Sequence, residues 1–207
     1  VSGFEVEGSV AKTYAKHIEA RLVDLETGKY VEDSAIAPSD FNFQSLAKNP
    51  DFNVAIPAEE DVANIRTRTK LMPIYLSKDE NGNTVRYILP FYGMALWSTV
   101  YGYVALDPDG TIKAVTFYSH GETPGLGGEI DNPRWQALWL DKKLTREDGS
   151  RGFNITKTPD HNGEGKDYDV DSLSGATLTS RGVDNAANYW FENAYKAFLE
   201  NLRKGEM

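Results

Sequence analysis

A helical repeat of apolar positions is clearest near the end of the chain. Between Arg181 and Lys204, apolar or small side chains recur every three or four residues, and these are Val183, Ala187, Trp190, Phe191, Ala194, Tyr195, Phe198 and Leu202. That period is typical of an amphipathic helix with one face in a core. The hydroxyl of Ser180 or Thr179 is predicted to cap its first turn. We therefore expect one long C-terminal helix over 181–204.

The first third of the chain has a weaker pattern. Val10, Tyr14, Ile18 and Leu22 follow one another at intervals of four. This spacing predicts a helix over 9–22, which ends before the turn residues 26–28. Residues 32–61 are rich in Asp, Asn, Ser and Pro, which predicts a connecting segment with at most short helical turns.

From residue 71 the pattern changes to short runs of β-branched and aromatic residues, which predict strands over 71–76, 84–91, 98–106 and 111–118. The first two strands are separated by Asn81-Gly82, and the last two by Asp107-Pro108-Asp109-Gly110. Both sequences are typical of hairpin turns. The four strands predict an antiparallel meander. Further on, Asn132-Pro133 is typical of the start of a short helix, which would have Trp135, Leu138 and Trp139 on one face. Residues 153–156 are predicted to form an edge strand.

Two glycine-containing segments, 93–97 and 120–128, are predicted as loops at the ends of the sheet. The second segment is not a nucleotide-triphosphate loop, because it lacks the lysine of that motif. It is either a plain turn or a loop that lines a ligand. Taken together, the elements predict an α+β fold: an antiparallel, half-barrel-like sheet packed with helices. We expect residues 1–207 to form a single domain.

Composition narrows the possible functions. Hydrophobic residues make up 40% of the chain, aromatic residues make up 12%, and the net charge is −9. This balance favours a globular protein with an aromatic-rich core and argues against nucleic acid as a partner. Because there are no cysteines, thiol catalysis, disulfides and cysteine-held metal clusters are excluded.

The stretch 171–180, of sequence DSLSGATLTS, gathers hydroxyls and a glycine directly before the predicted C-terminal helix. It can be a helix cap with spare hydroxyls, since such residues are common there. It can also be a phosphate site, because glycine allows close backbone approach and the helix start is electropositive. Spacing alone leaves both open and does not select one hydroxyl.

Other chemistries find less support. His17, His120 and His161 are far apart and show no helical metal-ligand spacing, so no metal site is predicted. Leu173-Ser174-Gly175 is not the Gly-x-Ser-x-Gly elbow of a serine hydrolase. Trp97 and Trp135 are either core residues or stackers of a cofactor.

Asp171-Ser172-Leu173-Ser174-Gly175-Ala176-Thr177 resembles the flavinylation motif of the FMN-binding domain family, an aspartate followed after two residues by Ser/Thr-Gly-Ala-Thr. Three further stretches are similar to one branch of that family, the C subunits of Na⁺-translocating NADH:quinone reductases. They are 18–24, 96–106 and 121–135, of which the last contains Gly-Glu-Thr-Pro-Gly-Leu-Gly-Gly. One departure is Ala95, where a glycine is expected.

The resemblance implies an electron carrier with FMN joined through its phosphate to Thr177 and without a catalytic substrate site of its own. It implies that Ser174, Gly175 and Ala176, with Leu173 and Asp171, shape the phosphate turn. Glu122, Thr123, Leu126 and Trp97 are the expected contacts to the rest of the flavin. The resemblance further implies that a separate Mg²⁺-dependent flavin transferase installs the group from FAD, which fits the weak nucleophilicity of a threonine hydroxyl.

The resemblance also implies partners and a location. These are the other subunits of a six-subunit respiratory complex in the bacterial inner membrane, an N-terminal transmembrane anchor ahead of Val1, and a domain on the periplasmic side. Electrons would enter from an iron–sulfur centre in the membrane and leave to a flavin on a neighbouring protein of the complex. Two alternatives stay open: the G subunit of the Rnf electron-transport complex or a similar extracytoplasmic flavoprotein, and a cofactor-free docking module of a membrane complex.

Overall fold

A six-stranded sheet is the framework of the protein in the computed structural model, which describes residues 17–207. Its strands lie in the order β2-β1-β5-β6-β7-β8, and every neighbouring pair is antiparallel. They are β1 (Ile18–Asp24), β2 (Tyr30–Val31), β5 (Leu71–Lys78), β6 (Thr84–Met94), β7 (Thr99–Leu106) and β8 (Ile112–Ser119). The predicted meander is therefore confirmed as β5 to β8.

The prediction of a helix over 9–22 is wrong where it can be compared. Residues 9–16 lie outside the described part of the chain, but β1 begins at Ile18 and pairs with β5 from Ile18↔Ser77 to Asp24↔Leu71. An interval of four is even, so it also places Ile18 and Leu22 on one face of a strand. The long pairing with β5 selects the strand.

The segment that follows β2 is a connection with short helical turns, as predicted, but it also contains a strand that the prediction did not include. It contains a 3₁₀ turn (Pro38–Asp40), the helix α1 (Phe43–Leu46) and a small hairpin of β3 (Asn53–Ala55) with β4 (Thr67–Thr69). Asn42 caps α1 by accepting a bond from the Ser45 amide. Phe41 and Phe43 are buried, so this segment covers part of the core.

The segment between β8 and the C-terminal helix consists of short elements. They are a 3₁₀ turn (Gly127–Asp131), α2 (Pro133–Gln136) with Asn132 as its cap, a second 3₁₀ turn (Ala137–Trp139), β9 (Asn154–Thr156), a third 3₁₀ turn (Glu164–Asp167) and β10 (Asp169–Asp171). β9 pairs in parallel with β10, away from the main sheet. Trp135 and Trp139 are buried, whereas Leu138 is 39% exposed and does not share their face.

The C-terminal helical segment spans 177–204 as α3 (Thr177–Asn188), a π-helix (Tyr189–Ala194) and α4 (Lys196–Lys204). It packs on β6, where the Trp190 indole N–H donates to Tyr92 O at 2.7 Å and the Tyr195 hydroxyl to Pro90 O at 2.8 Å. The predicted cap is wrong. α3 begins at Thr177, so Thr179 and Ser180 lie inside it, and both are 1% exposed.

The two predicted loops, 93–97 and 120–128, can be compared with the structure. Gly93 and Met94 belong to β6 and not to a loop, because they continue its pairing with Val100 and Thr99 of β7. Residues 120–128 do form a loop that leads into a 3₁₀ turn. Within residues 17–207, no helix combines the length and apolar character needed to cross a bilayer.

Candidate functional site

The turn 171–177 is held in a fixed shape by its neighbours. The Trp135 indole N–H donates to Asp171 O at 2.8 Å, and the Leu173 amide donates to Ser180 Oγ at 2.9 Å. Gly175 has φ +75°, a left-handed conformation that glycine adopts without strain. The turn is thus held between β10 and α3 by one partly buried and one buried bond, while Ser174 and Gly175 are exposed.

Thr177 is the first residue of α3 and is half-buried. Ala176 stands before it and offers no side chain that bonds the helix start. The first amides of a helix lack partners within the helix, and the dipole makes this end electropositive. The start of α3 therefore presents amide donors beside the exposed turn, an arrangement that suits a phosphate.

Glu122 connects the two segments that flank this turn. Its Oε1 accepts bonds from the amides of Trp97 at 2.8 Å and Ser98 at 3.1 Å, and its Oε2 accepts a bond from Thr179 Oγ1 at 2.6 Å. The side chain is buried, with 4% of its surface exposed. Both carboxylate oxygens are thus engaged by the protein, so Glu122 joins the loop 95–98 to α3.

The loop 120–128 is itself tied down at several points. The Gly121 amide donates to Ser98 Oγ at 2.6 Å, and the Glu122 amide bonds His120 Nδ1 at 3.1 Å. His120 Nε2 lies 2.8 Å from Asp131 Oδ2. The Thr123 carbonyl accepts from the amides of Leu126 and Gly128. This loop is a fixed wall of the site.

Gly127 allows this wall to approach α3 closely. A methyl group at this position would lie 2.4 Å from Thr179 Oγ1 and 3.0 Å from Glu122 Oε2. Side chains do not approach one another so closely, so only glycine fits here without a shift. The bond between Glu122 and Thr179 depends on that close packing.

Apolar side chains stand exposed around the turn. Trp97 is 67% exposed, Leu178 is 53% exposed and Leu126 is 47% exposed. A methyl group at Gly175 would lie 3.6 Å from Leu126 Cδ2, so the loop 120–128 and the turn 171–177 meet here. A cleft of about 250 Å³ lies beside Leu178 and is also lined by Met94, Ala95, Leu96, Arg181 and Asn185. A phosphate ester with an attached apolar group suits this combination.

The structure therefore brings together most of the residues that the sequence singled out. Leu126 meets the turn at Gly175, and Glu122 bonds both the Trp97 amide and Thr179, two residues after Thr177. Leu173 and Ala176 are buried under the turn, and the Asp171 carboxylate lies 3.2 Å from His161 Nε2. The Thr123 side chain is exposed, and only its backbone takes part in the bonds described.

Sequence reasoning missed four participants, namely Thr179, Ser180, Gly127 and Leu178. Thr179 and Ser180 were assigned to capping, yet both are buried and bonded inside the helix. One feature of the sequence indicates that Thr179 and Thr177 have different surroundings. Two residues apart on a helix, their side chains lie on opposite faces. Among residues 17–207, no three His, Cys, Asp or Glu side chains are grouped so that they could hold a metal ion.

Comparisons with known proteins find relatives in both sequence and structure. A model of the FMN-binding domain family matches residues 95–192. The C subunit of the Na(+)-translocating NADH-quinone reductase of Haemophilus ducreyi is 47% identical, over 94% of this chain and 74% of its own length. The corresponding protein of Neisseria meningitidis serogroup A is 46% identical over 94% and 74%. The crystal structure of Shewanella oneidensis NqrC superposes with a TM-score of 0.88 at 34% identity, covering 98% of this chain and 93% of that one.

Proposed function

Because the chain belongs to the family of C subunits of Na⁺-translocating NADH-quinone reductases, we propose that it carries electrons within that complex through FMN linked by its phosphate to Thr177. The observation that carries this proposal is the position of Thr177 at the uncapped start of α3, beside an exposed Ser174-Gly175 turn. Thr179 and Ser180, the nearby helical hydroxyls, are buried and already bonded.

The residues present fit FMN. Its phosphate would lie at the start of α3, where amide donors and the dipole favour an anion. Ser174, Gly175 and Ala176 would form the turn around it, with Leu173 and Asp171 fixed below by Ser180 and Trp135. Leu126, Leu178 and Trp97 offer exposed apolar surface for a flat ring.

Glu122 takes a different role from the flavin contact first expected of it. Since both of its oxygens accept bonds from the protein, we assign it to positioning. It holds Trp97 and the start of α3 at a fixed separation. Thr123 contributes through its backbone, which shapes the loop beneath Leu126.

When bound, FMN supplies the redox chemistry, and the chain fixes its place and surroundings. No carboxylate or imidazole in the described part of the chain bonds the Thr177 hydroxyl, so a weak nucleophile has no base of its own. We therefore propose that a separate flavin transferase activates Thr177 during maturation. The chain is a redox subunit without a catalytic site for NADH or quinone.

The remaining parts of the proposal concern the whole complex. The chain would be one domain, joined by an N-terminal anchor to the bacterial inner membrane and placed on its periplasmic side. Its partners would be the other subunits of the complex. An iron–sulfur centre in the membrane would deliver electrons to the chain, and a flavin on a neighbouring subunit would receive them. Electron transfer would be coupled to Na⁺ translocation by the complex as a whole.

The test is expression beside a flavin transferase, followed by intact mass and a visible spectrum. The wild type is expected to gain the mass of one FMN adduct and a flavin absorbance that survives denaturation. Thr177→Ala should lose both, while Ser172→Ala, which removes a half-buried hydroxyl of the same turn to which no role is assigned, should keep them.

Each outcome separates one part of the proposal. A wild type unchanged in mass would favour the cofactor-free docking module. A Thr177→Ala protein that still carries covalent flavin would show that another hydroxyl is the anchor.

A further inference from the structure

A second cluster of functional groups lies at the end of the sheet opposite the loop 95–98. There the turn 107–111 joins β7 to β8, and the eight residues of β7 separate it from the loop 95–98 by about 25 Å. Lys143, Arg146 and Arg203 line a groove of about 380 Å³ beside that turn. The groove shares no lining residue with the cleft beside Leu178 or with the turn 171–177.

Arg146 is held in a fixed orientation. Its guanidinium lies over the Tyr168 ring at 4.4 Å, and its Nε donates to Arg151 O at 3.1 Å. A cation over an aromatic face is attracted by the ring, and the bond at Nε sets the plane of the group. Within residues 17–207, its two terminal nitrogens make no hydrogen bond. They remain available to a ligand.

Arg203 reaches the same groove from α4. Its Nη1 donates to Thr145 Oγ1 at 2.9 Å, and no carboxylate of the described chain lies within 4 Å of it or of Arg146. Lys143 lies 3.8 Å from Asp167 in an exposed pair that contributes little. Asp148 interacts electrostatically with Arg146, but its Oδ1 accepts bonds from the amide and hydroxyl of Ser150 and it forms no salt bridge with the guanidinium.

The acidic groups nearby do not occupy these donors. Asp109 also lines the groove, but its carboxylate accepts bonds from the amide and hydroxyl of Thr111. Glu147 is exposed on the loop. Glu192 interacts electrostatically with Arg203 but makes no hydrogen bond with it.

We propose that this groove binds a phosphate group, gripped by Arg146 and Arg203 with Lys143 adding positive charge. Arginine forks match phosphate oxygens in geometry as well as in charge, and such bonds are about twice as strong as neutral ones. The ligand is a phosphomonoester or phosphodiester. Its source is a free phosphate compound or an anionic lipid headgroup.

The experiment uses the full chain with FMN installed and has two arms. Inorganic phosphate is titrated at constant ionic strength while the arginine Nε resonances are followed by NMR. Vesicles of phosphatidylcholine, with and without phosphatidylglycerol, are tested by co-sedimentation. Arg203→Gln and Arg146→Gln are compared with Arg134→Gln, which removes the same charge from an exposed position on α2.

Each groove variant is expected to weaken binding by about tenfold or more, and the control by less than about twofold. If the groove variants lose only vesicle binding, the ligand is a lipid headgroup. If they lose binding of inorganic phosphate, the ligand is a free phosphate compound. Equal binding by the wild type and Arg203→Gln, or no saturable binding in either arm, overturns the proposal. Because Arg203 is exposed, its variant decides the matter even if Arg146→Gln fails to fold.

Discussion

Glu122 is the residue on which the geometry of the candidate site depends most. One buried carboxylate accepts bonds from Trp97, Ser98 and Thr179, which belong to two different segments of the chain. Two of the three donors are backbone amides, so substitutions of Trp97 or Ser98 would not remove them. The separation between loop and helix is thus controlled from a single side chain.

We predict that Glu122→Ala destabilises the protein by about 2–4 kcal/mol, because it leaves three donors without a partner in a buried region. Urea unfolding measures the change. Glu129→Ala is the control, since Glu129 accepts one side-chain bond, from Asn132, and is only half-buried. It should cost less than about 1 kcal/mol. Equal losses in the two variants would contradict the bracing role.

Glu192 is a carboxyl placed unfavourably within the π-helix. Burial raises its pKa, while Arg151, Lys196 and Arg203 oppose that rise. Its Oε1 is buried without a hydrogen bond among the described residues. A carboxyl whose pKa is raised by folding contributes stability below its unfolded pKa and loses that contribution as the pH rises through the folded value.

We therefore predict that Glu192→Gln gains stability over the wild type as the pH is raised from about 4 to about 7, because the amide does not ionise. Urea unfolding at the two pH values measures this difference. Glu80→Gln at an exposed hairpin tip is the control and should change little at either pH. A Glu192→Gln effect that is the same at both pH values would contradict the prediction.

At the scale of elements, the sequence was most informative where a pattern had one explanation. The hairpins of β5 to β8 follow from strong turn residues between β-branched runs, and the helical repeat of 181–204 extends too far to be a strand. The prediction of a helix at β1 is wrong because an interval of four residues fits both the helical period of 3.6 and the strand period of 2. Only the pairing partner β5, distant in sequence, distinguishes them.

The site could be predicted only in part for the same reason. Local order in the sequence places Thr177 beside Gly175, and the resemblance to a family points to the loop 120–128. Neither reveals that Glu122 bonds Thr179 across 57 positions. Such a bond depends on how α3 rests against the sheet.

Gly182 is where α3 rests against the end of β6. A methyl group there would lie 2.5 Å from Ala95 Cα and 2.7 Å from Met94 O, which are backbone atoms that cannot turn aside. Alanine favours a helix interior over glycine by up to about 1 kcal/mol, whereas overpacking costs about 1–3 kcal/mol. The steric cost is therefore expected to exceed the gain.

We predict a net loss of about 1–2 kcal/mol for Gly182→Ala, measured by urea unfolding. Arg181→Ala, on the exposed side of the same helix, should lie within about 0.5 kcal/mol of the wild type. A stabilised Gly182→Ala protein would show that Met94 and the loop 95–98 move away at little cost.

At the scale of the whole molecule, the two ends of the described chain are joined. The Asn201 side-chain amide donates to Thr27 O at 3.1 Å and Gly28 O at 3.2 Å. Gly28 touches the backbone of Ala197 so closely that a methyl group there would lie 2.3 Å from its carbonyl carbon. The turn between β1 and β2 and the end of the C-terminal helix thus stabilise each other.

We predict that removal of 196–207 abolishes cooperative unfolding. Phe198, Leu199 and Leu202 are buried, and each contributes about 1.5–3 kcal/mol, so their loss approaches the total stability of a typical domain. Circular dichroism in urea tests this. Removal of only Glu206 and Met207, which lie beyond the helix, is the control and should leave the transition intact.

The distribution of tryptophans has an optical consequence. Trp135, Trp139 and Trp190 are buried, whereas Trp97 is 67% exposed in the loop that Glu122 joins to α3. A water-soluble quencher such as acrylamide would therefore dim Trp97 and spare the other three indoles. The protein contains its own fluorescent reporter at the candidate site, and its emission would follow loading with FMN without any added label.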